Sequence, residues 1–184
     1  MKSARRFEGG IFLTAACLIL LGIGACRSRE LSPSGEPAKT QKSEGGPVAT
    51  AFRLEALTGK PVQLADFLGR PVIIHFWASW CPPCLPELPH VISFASQMKA
   101  KGWTVLAIST DTDWKKVKQA LPAGQELPSN FIVLLDEGSK VSEAYGTYMY
   151  PETYWITAEG RIRHKWVGAQ DWESIVSSLK SAPN

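Results

Sequence analysis

Cys81 and Cys84 stand three positions apart in Trp80-Cys81-Pro82-Pro83-Cys84, and this spacing names a chemistry. An apolar run, Val72 to Ala78, leads into the pair, and a helical pattern through Leu85, Leu88, Val91, Ile92, Ala95 and Met98 follows it. Two cysteines so spaced at a helix start lie within one turn and can join as a disulfide with little backbone movement. The unpaired amides and dipole of that first turn favour Cys81 as a thiolate, the attacking species in disulfide exchange. Cys84, further into the helix and less exposed, is then the thiol that resolves the mixed disulfide. The competing readings are half of a zinc site and a structural disulfide. Zinc would need a second pair, which the chain lacks, and a staple has no need of a strand-to-helix placement. A redox-active pair is therefore expected, with no cofactor and no bound metal.

The elements that must hold this pair are readable from periodicity. Phe52–Leu54 and Val62–Leu64 are short alternating strands around Thr58-Gly59-Lys60, a hairpin signal. Val72–Ala78 is apolar nearly throughout, as in a central strand covered on both faces. Pro86 and Pro89 remove amide donors from the helix that follows and disturb its start. Further strands are expected at Thr104–Ser109 and Phe131–Leu135, and helices at Trp114–Leu121 and Lys140–Tyr145. Thr153–Thr157 and Arg161–Val167 form a hairpin about Ala158-Glu159-Gly160, and Asp171 starts a closing helix. Alternating strands and helices with terminal hairpins predict an α/β fold on a central mixed β-sheet. Trp103, Trp114, Trp155, Trp166 and Trp172 are read as packing residues.

Composition limits the function classes. The chain has 184 residues, 45% of them apolar, and a net charge of +3. It can bury one ordinary core. Residues 1–25 carry three basic residues and one acidic one, so the remainder has a charge of about +1 and no basic stripe for nucleic acid. Lys2, Arg5 and Arg6 followed by an apolar stretch from Ile11 to Ala25 read as an export signal, too short at 15 residues to span a bilayer. Ile23-Gly24-Ala25-Cys26 resembles the lipobox of bacterial lipoproteins, which makes Cys26 a lipidated first residue; an uncleaved anchor is the alternative. Residues 26–48 read as this Cys and a flexible tether, spanning roughly 25 Å by random-coil scaling, and residues 49–184 as one domain. The expected location is the bacterial cell envelope, with the domain on the extracytoplasmic (periplasmic) side.

Residues 49–180 resemble thioredoxin-fold proteins, and within them the exported, membrane-tethered TlpA/ResA-like thiol–disulfide oxidoreductases, a group that includes the cytochrome-c-maturation reductases of the DsbE/CcmG type. The resemblance is carried by Phe52 and Leu54, Gly59-Lys60, Leu64 and Gly69-Arg70-Pro71. It continues through Phe76 to Cys84 with Glu87 and Pro89, and through Tyr145-Gly146, Pro151-Glu152-Thr153-Tyr154 and Glu159-Gly160. It implies a thioredoxin-like fold with an N-terminal hairpin extension. It implies a cis proline at Pro151, with Trp80, Tyr150 and Pro151 binding substrate, the backbone of Tyr150 taking an extended chain as an added strand. It also implies an active-site acid at Glu87, whose charge would raise thiol pKa values and relay a proton. A solvated helix-start acid is the alternative for Glu87, and a plain turn for Pro151.

Two departures from that pattern stand out. His75 occupies a strand position where many thioredoxins have a buried acid, and is read as a hydrogen-bonded core residue that could alternatively relay protons. Tyr148-Met149-Tyr150 is bulky where the family has small or aliphatic residues. The expected activity is reduction of protein disulfides, apocytochrome c among the candidates, since Pro82-Pro83 places no cation between the cysteines. Expected partners are protein disulfide substrates, a membrane electron-donor thiol reductase, and the membrane through the lipid; no nucleic acid is expected. The rival readings are a thiol peroxidase of related fold and a non-enzymatic copper carrier.

Overall fold

The computed structural model describes residues 46–181. The elements run β1 (Arg53–Ala56), β2 (Pro61–Gln63), β3 (Val72–Trp77), α1 (Cys84–Met98), β4 (Thr104–Ser109), α2 (Trp114–Ala120), β5 (Phe131–Leu135), α3 (Lys140–Ala144), β6 (Glu152–Ile156), β7 (Ile162–Val167) and α4 (Trp172–Ser181). A short 3-10 turn, Leu64–Phe67, follows β2. The strands make one seven-stranded sheet in the order β2-β1-β5-β4-β3-β6-β7.

The longest apolar runs among the described residues take the middle of this sheet. Every residue of β3 and β4 is buried, and the two pair in parallel from Val72↔Thr104 to Trp77↔Ser109. Alternation along β3 then divides the core. Ile73 and Trp77 join Leu88, Val91, Phe94, Trp172 and Ile175 on the side of α1 and α4. Val72, Ile74 and Phe76 meet Phe52, Phe67, Tyr145 and Tyr154 on the other side. Continuous apolar strands are what a sheet covered on both faces requires.

Antiparallel hairpins extend both edges. Gly59 turns β1 into β2 with φ 77°, a left-handed backbone that a side chain would resist, and its amide donates to the Ala56 carbonyl at 2.7 Å. β1 pairs with β5, so this hairpin widens the sheet from that edge. At the opposite edge β6 lies antiparallel to β3, and β7 to β6. The expected thioredoxin-like mixed sheet with an N-terminal hairpin is the fold observed. Boundaries differ by a residue or so: Leu64 leaves the second strand for the 3-10 turn, and β6 begins one residue early, at the buried Glu152. Cys26 and the segments assigned to export and tethering lie outside the described residues.

Candidate active site

Cys81 and Cys84 are joined as a disulfide, with 5.4 Å between their Cα atoms, in the step from β3 into α1. The Cys81 amide donates to the Ala78 carbonyl at 3.2 Å and the Cys84 amide to the Cys81 carbonyl at 3.1 Å. α1 begins at Cys84, so Cys81 stands in the turn ahead of the helix and not in its first turn. The sequence alone predicts several free amides there. Pro82, Pro83 and Pro86 supply none, and with the Cys84 amide spent on Cys81 this leaves the Leu85 amide as the unspent donor of that helix end. Both cysteines are buried, Cys81 at 3% exposure and Cys84 at 0%.

A buried carboxylate secures the turn in front of them. Asp111, just beyond the end of β4, accepts from the Ser79 amide at 2.9 Å and the Ser79 hydroxyl at 2.6 Å. The Ser109 hydroxyl donates to the same carboxylate at 2.7 Å. Because β3 and β4 are parallel neighbours, both chains leave the sheet at the same end, and Asp111 ties one to the other.

Glu87 projects from the first turn of α1 and is 4% exposed, which removes the solvated alternative. Its Oε1 accepts from the Gln170 amide at 2.9 Å and from the Trp172 indole N–H at 2.7 Å. Its Oε2 is buried without a partner among the described residues. Burial pushes the carboxyl above the ordinary range; the two N–H donors and the nearby His90 pull it partway back. Trp172 also packs edge-on against His75, with ring centroids 5.9 Å apart. His75 is fully buried, its Nδ1 2.9 Å from the Thr153 hydroxyl on β6. Burial lowers its pKa to about 3, so the imidazole is neutral at ordinary pH. This is the hydrogen-bonded core histidine that the sequence reading preferred.

The peptide between Tyr150 and Pro151 is cis, as the resemblance implied. Trp80 and Tyr150 meet edge-to-face with centroids 5.5 Å apart, which ties the cysteine turn to the cis-proline loop. The Tyr150 hydroxyl donates to Ser142 at 3.1 Å. Trp80, Tyr148 and Met149 are exposed, at 61%, 76% and 51%, and form an apolar surface on these two loops. Directly after Pro151, Glu152 is fully buried on β6, and its Oε2 accepts from Lys165 at 2.9 Å. The Tyr154 hydroxyl lies 2.9 Å from the same oxygen and 2.9 Å from the Tyr145 carbonyl. Lys165 also donates to the Gly146 carbonyl at 3.1 Å and sits 5.1 Å from the centre of the Tyr148 ring.

A disulfide at a strand-to-helix step, beside a cis proline and a buried carboxyl, is built for thiol exchange, and comparison with known proteins agrees. Residues 43–182 match the Redoxin family. The chain belongs to that family. Among its relatives is the thiol-disulfide oxidoreductase ResA of Bacillus cereus, 30% identical over 143 residues, which cover 78% of this chain and 81% of that one. The thiol:disulfide interchange protein DsbE of Vibrio cholerae is 29% identical over 170 residues, 89% of each chain. The exposed lipoprotein thioredoxin of Streptococcus pneumoniae superposes with a TM-score of 0.62 at 29% identity, over 72% of this chain and all of that one.

This Redoxin-family chain is thus a thiol–disulfide oxidoreductase of the ResA/DsbE type. Several residues of its site escaped the sequence reading. Trp172 was read as packing, which it does, but its N–H also grips Glu87 from 85 positions away. Asp111 carried a usable signal, since an acid at the carboxyl end of a buried strand in an α/β sheet marks where function gathers. Lys165 carried none, lying in a strand of mixed polarity and gaining meaning only opposite Glu152.

Proposed function

We propose that the chain reduces protein disulfides outside the cytoplasm, with Cys81 attacking and Cys84 resolving. The observation that carries this is the Cys81–Cys84 disulfide at the β3–α1 step, linked through the Trp80–Tyr150 contact to cis Pro151. In the reduced enzyme the Cys81 thiolate attacks one sulfur of a substrate disulfide and releases the other as a thiolate. Cys84 then attacks the Cys81 sulfur, closes the internal disulfide and frees the second substrate thiolate. Two electrons pass to the substrate, whose sulfurs take up two protons. Glu87 accepts the Cys84 proton as that thiol becomes a nucleophile, a task suited to a buried carboxyl with a raised pKa. Trp80, Tyr150 and Pro151 receive the substrate chain. A membrane thiol reductase returns the two electrons. The Pro151-Glu152-Thr153 string favours apocytochrome c cysteines as substrate.

Residues 1–25 act in this reading as a lipoprotein-type signal, Cys26 as the lipidated residue, 26–48 as the tether and 49–184 as the working domain. Two acyl chains or more are needed for stable anchoring. Cys26→Ser should then abolish lipid labelling and release the domain from membranes. A mutant with unchanged labelling would dismiss the anchor.

The exchange itself is tested with a disulfide-bonded peptide carrying a c-type haem-attachment sequence. Cys84→Ala should accumulate a dithiothreitol-sensitive adduct on Cys81, and Cys81→Ala should accumulate none. An adduct that forms through Cys84 in Cys81→Ala would reverse the two roles.

A further inference from the structure

We propose that Trp172 is a positioning residue for the exchange: with the Gln170 amide it occupies Oε1 of Glu87 and leaves Oε2 as the one atom that carries the carboxyl proton. This rests on the role given to Glu87 above. A carboxylate oxygen offers two lone pairs, and both on Oε1 are engaged, at 2.9 Å by the Gln170 amide and at 2.7 Å by the indole. Both partners are pure donors. Neither can accept from a protonated oxygen, so a proton on Oε1 would break a hydrogen bond, and one on Oε2 breaks none. Oε2 is buried and without a partner among the described residues, which leaves it free for that proton.

The grip is rigid. Trp172 is the first residue of α4, and Asp171 ahead of it caps that helix: its Oδ1 accepts from the Glu173 amide at 3.1 Å and its Oδ2 from the Ser174 hydroxyl at 2.6 Å. The indole stands edge-on to Phe94 and to His75, at 5.0 and 5.9 Å between centroids, so it cannot swing aside without opening the core. The titratable groups nearby are His90 on α1 with Asp171 and Glu173, which line one surface hollow with Gln170 and Trp172. His75, on β3, is neutral. Burial favours the acid while the Gln170 amide and then the Trp172 indole, both on one oxygen, favour the carboxylate, and Trp172 is the side chain through which that balance can be changed.

The test follows the Glu87 carboxyl carbon and the Trp172 indole N–H together by NMR in the oxidised full-length protein from pH 3 to 9. Both signals should move with a single midpoint, and Glu87→Gln should remove the indole transition. Trp172→Phe should raise the Glu87 midpoint by about one pH unit, the weight of one hydrogen bond to a charged group. It should also move the matching limb of the pH–turnover profile by the same amount. An indole signal that stays flat through the Glu87 midpoint overturns the proposal in the unaltered protein, whether or not Trp172→Phe folds. An unmoved Glu87 midpoint in a folded Trp172→Phe overturns it too. If the midpoint moves and the turnover limb does not, the contact stands, and Glu87's place in the exchange is what falls.

Discussion

Two buried glutamates adjoin the redox site in sequence, and they are held in opposite ways. Glu87, three residues after Cys84, meets only neutral donors, the Gln170 amide and the Trp172 indole. Glu152, next to Pro151, meets the Lys165 ammonium at 2.9 Å. Each keeps one oxygen without a partner among the described residues. A buried carboxylate hydrogen-bonded only to neutral donors can shed its charge by binding a proton, and no directly paired cation is then left behind. One facing an ammonium would leave that cation unpaired, so its charge is part of the architecture. The same side chain is therefore left able to take up a proton on the helix side of the site and is held in an ion pair on the strand side.

Breaking the second arrangement should cost the most. Lys165→Met leaves the fully buried Glu152 without its cation and frees the Gly146 carbonyl. Lys165 is partly exposed, so the loss should sit at the lower end for buried pairs, about 3 kcal/mol by chemical denaturation. Glu152→Gln in the same background should restore most of it, because the uncompensated charge is gone. A loss below about 0.5 kcal/mol would class the pair as an ordinary surface bridge.

Glu87→Gln should do the reverse, sparing the fold and slowing the reaction. Turnover of a peptide disulfide is expected to fall about 10²-fold, close to 2.7 kcal/mol of barrier. The stability effect follows from linkage. The folded pKa of Glu87 lies above its unfolded one, so the native state holds the extra proton and stability declines as pH rises between the two values. Glu87→Gln removes that decline. Its unfolding midpoint relative to the parent protein should therefore be more favourable at pH 7.5 than at pH 4. Equal turnover at every pH would separate Glu87 from the chemistry.

His75, packed on the same indole as Glu87, carries the opposite linkage. Its imidazole titrates at 6.5 when unfolded and at about 3 when folded. Below pH 6.5 the unfolded chain binds the extra proton, so stability drains away as pH falls toward about 3. At pH 5.5 the loss is about 1.3 kcal/mol relative to neutral pH, and His75→Asn should abolish that slope while keeping a partner for Thr153. A variant with the parent's full acid slope would assign it to other groups.

The contrast between the two glutamates also marks where sequence reading stops. β4 and β5 fall where their continuous apolar runs, Thr104–Ser109 and Phe131–Leu135, indicated, because burial on both faces leaves a local signature. The cysteine pair, Glu87 and Pro151 were legible through motif spacing and family resemblance. What Glu87 binds was not, since Trp172 reaches it across 85 positions and an indole that packs looks in sequence like one that donates. The start of β6 was missed because Glu152 reads as a surface residue until Lys165 is set beside it. Asp111 and Ser79 are 32 positions apart and meet only because β3 and β4 run parallel. Long-range polar pairing has no periodicity, so it surfaces only with the fold.

The smallest effect lies where the Glu152 arrangement reaches the surface. Lys165 lies 5.1 Å from the centre of the Tyr148 ring, and that ring is 76% exposed. A cation–π contact in so open a place is worth about 0.5–1 kcal/mol. Tyr148→Ser should therefore lower stability by no more than that and leave the ion pair intact. Its consequence for substrate should be the larger one. Tyr148, Met149 and Trp80 are the exposed apolar side chains of the cysteine and cis-proline loops, where a substrate chain adding beside Tyr150 would lie. Loss of the ring should raise KM several-fold for a peptide disulfide with apolar flanks, with kcat little changed, because ground state and transition state lose the same contact. The shift should be weaker for a peptide with polar flanks. Equal KM changes for both peptides would mean that Tyr148 shields the Lys165–Glu152 pair and takes no part in choosing substrate.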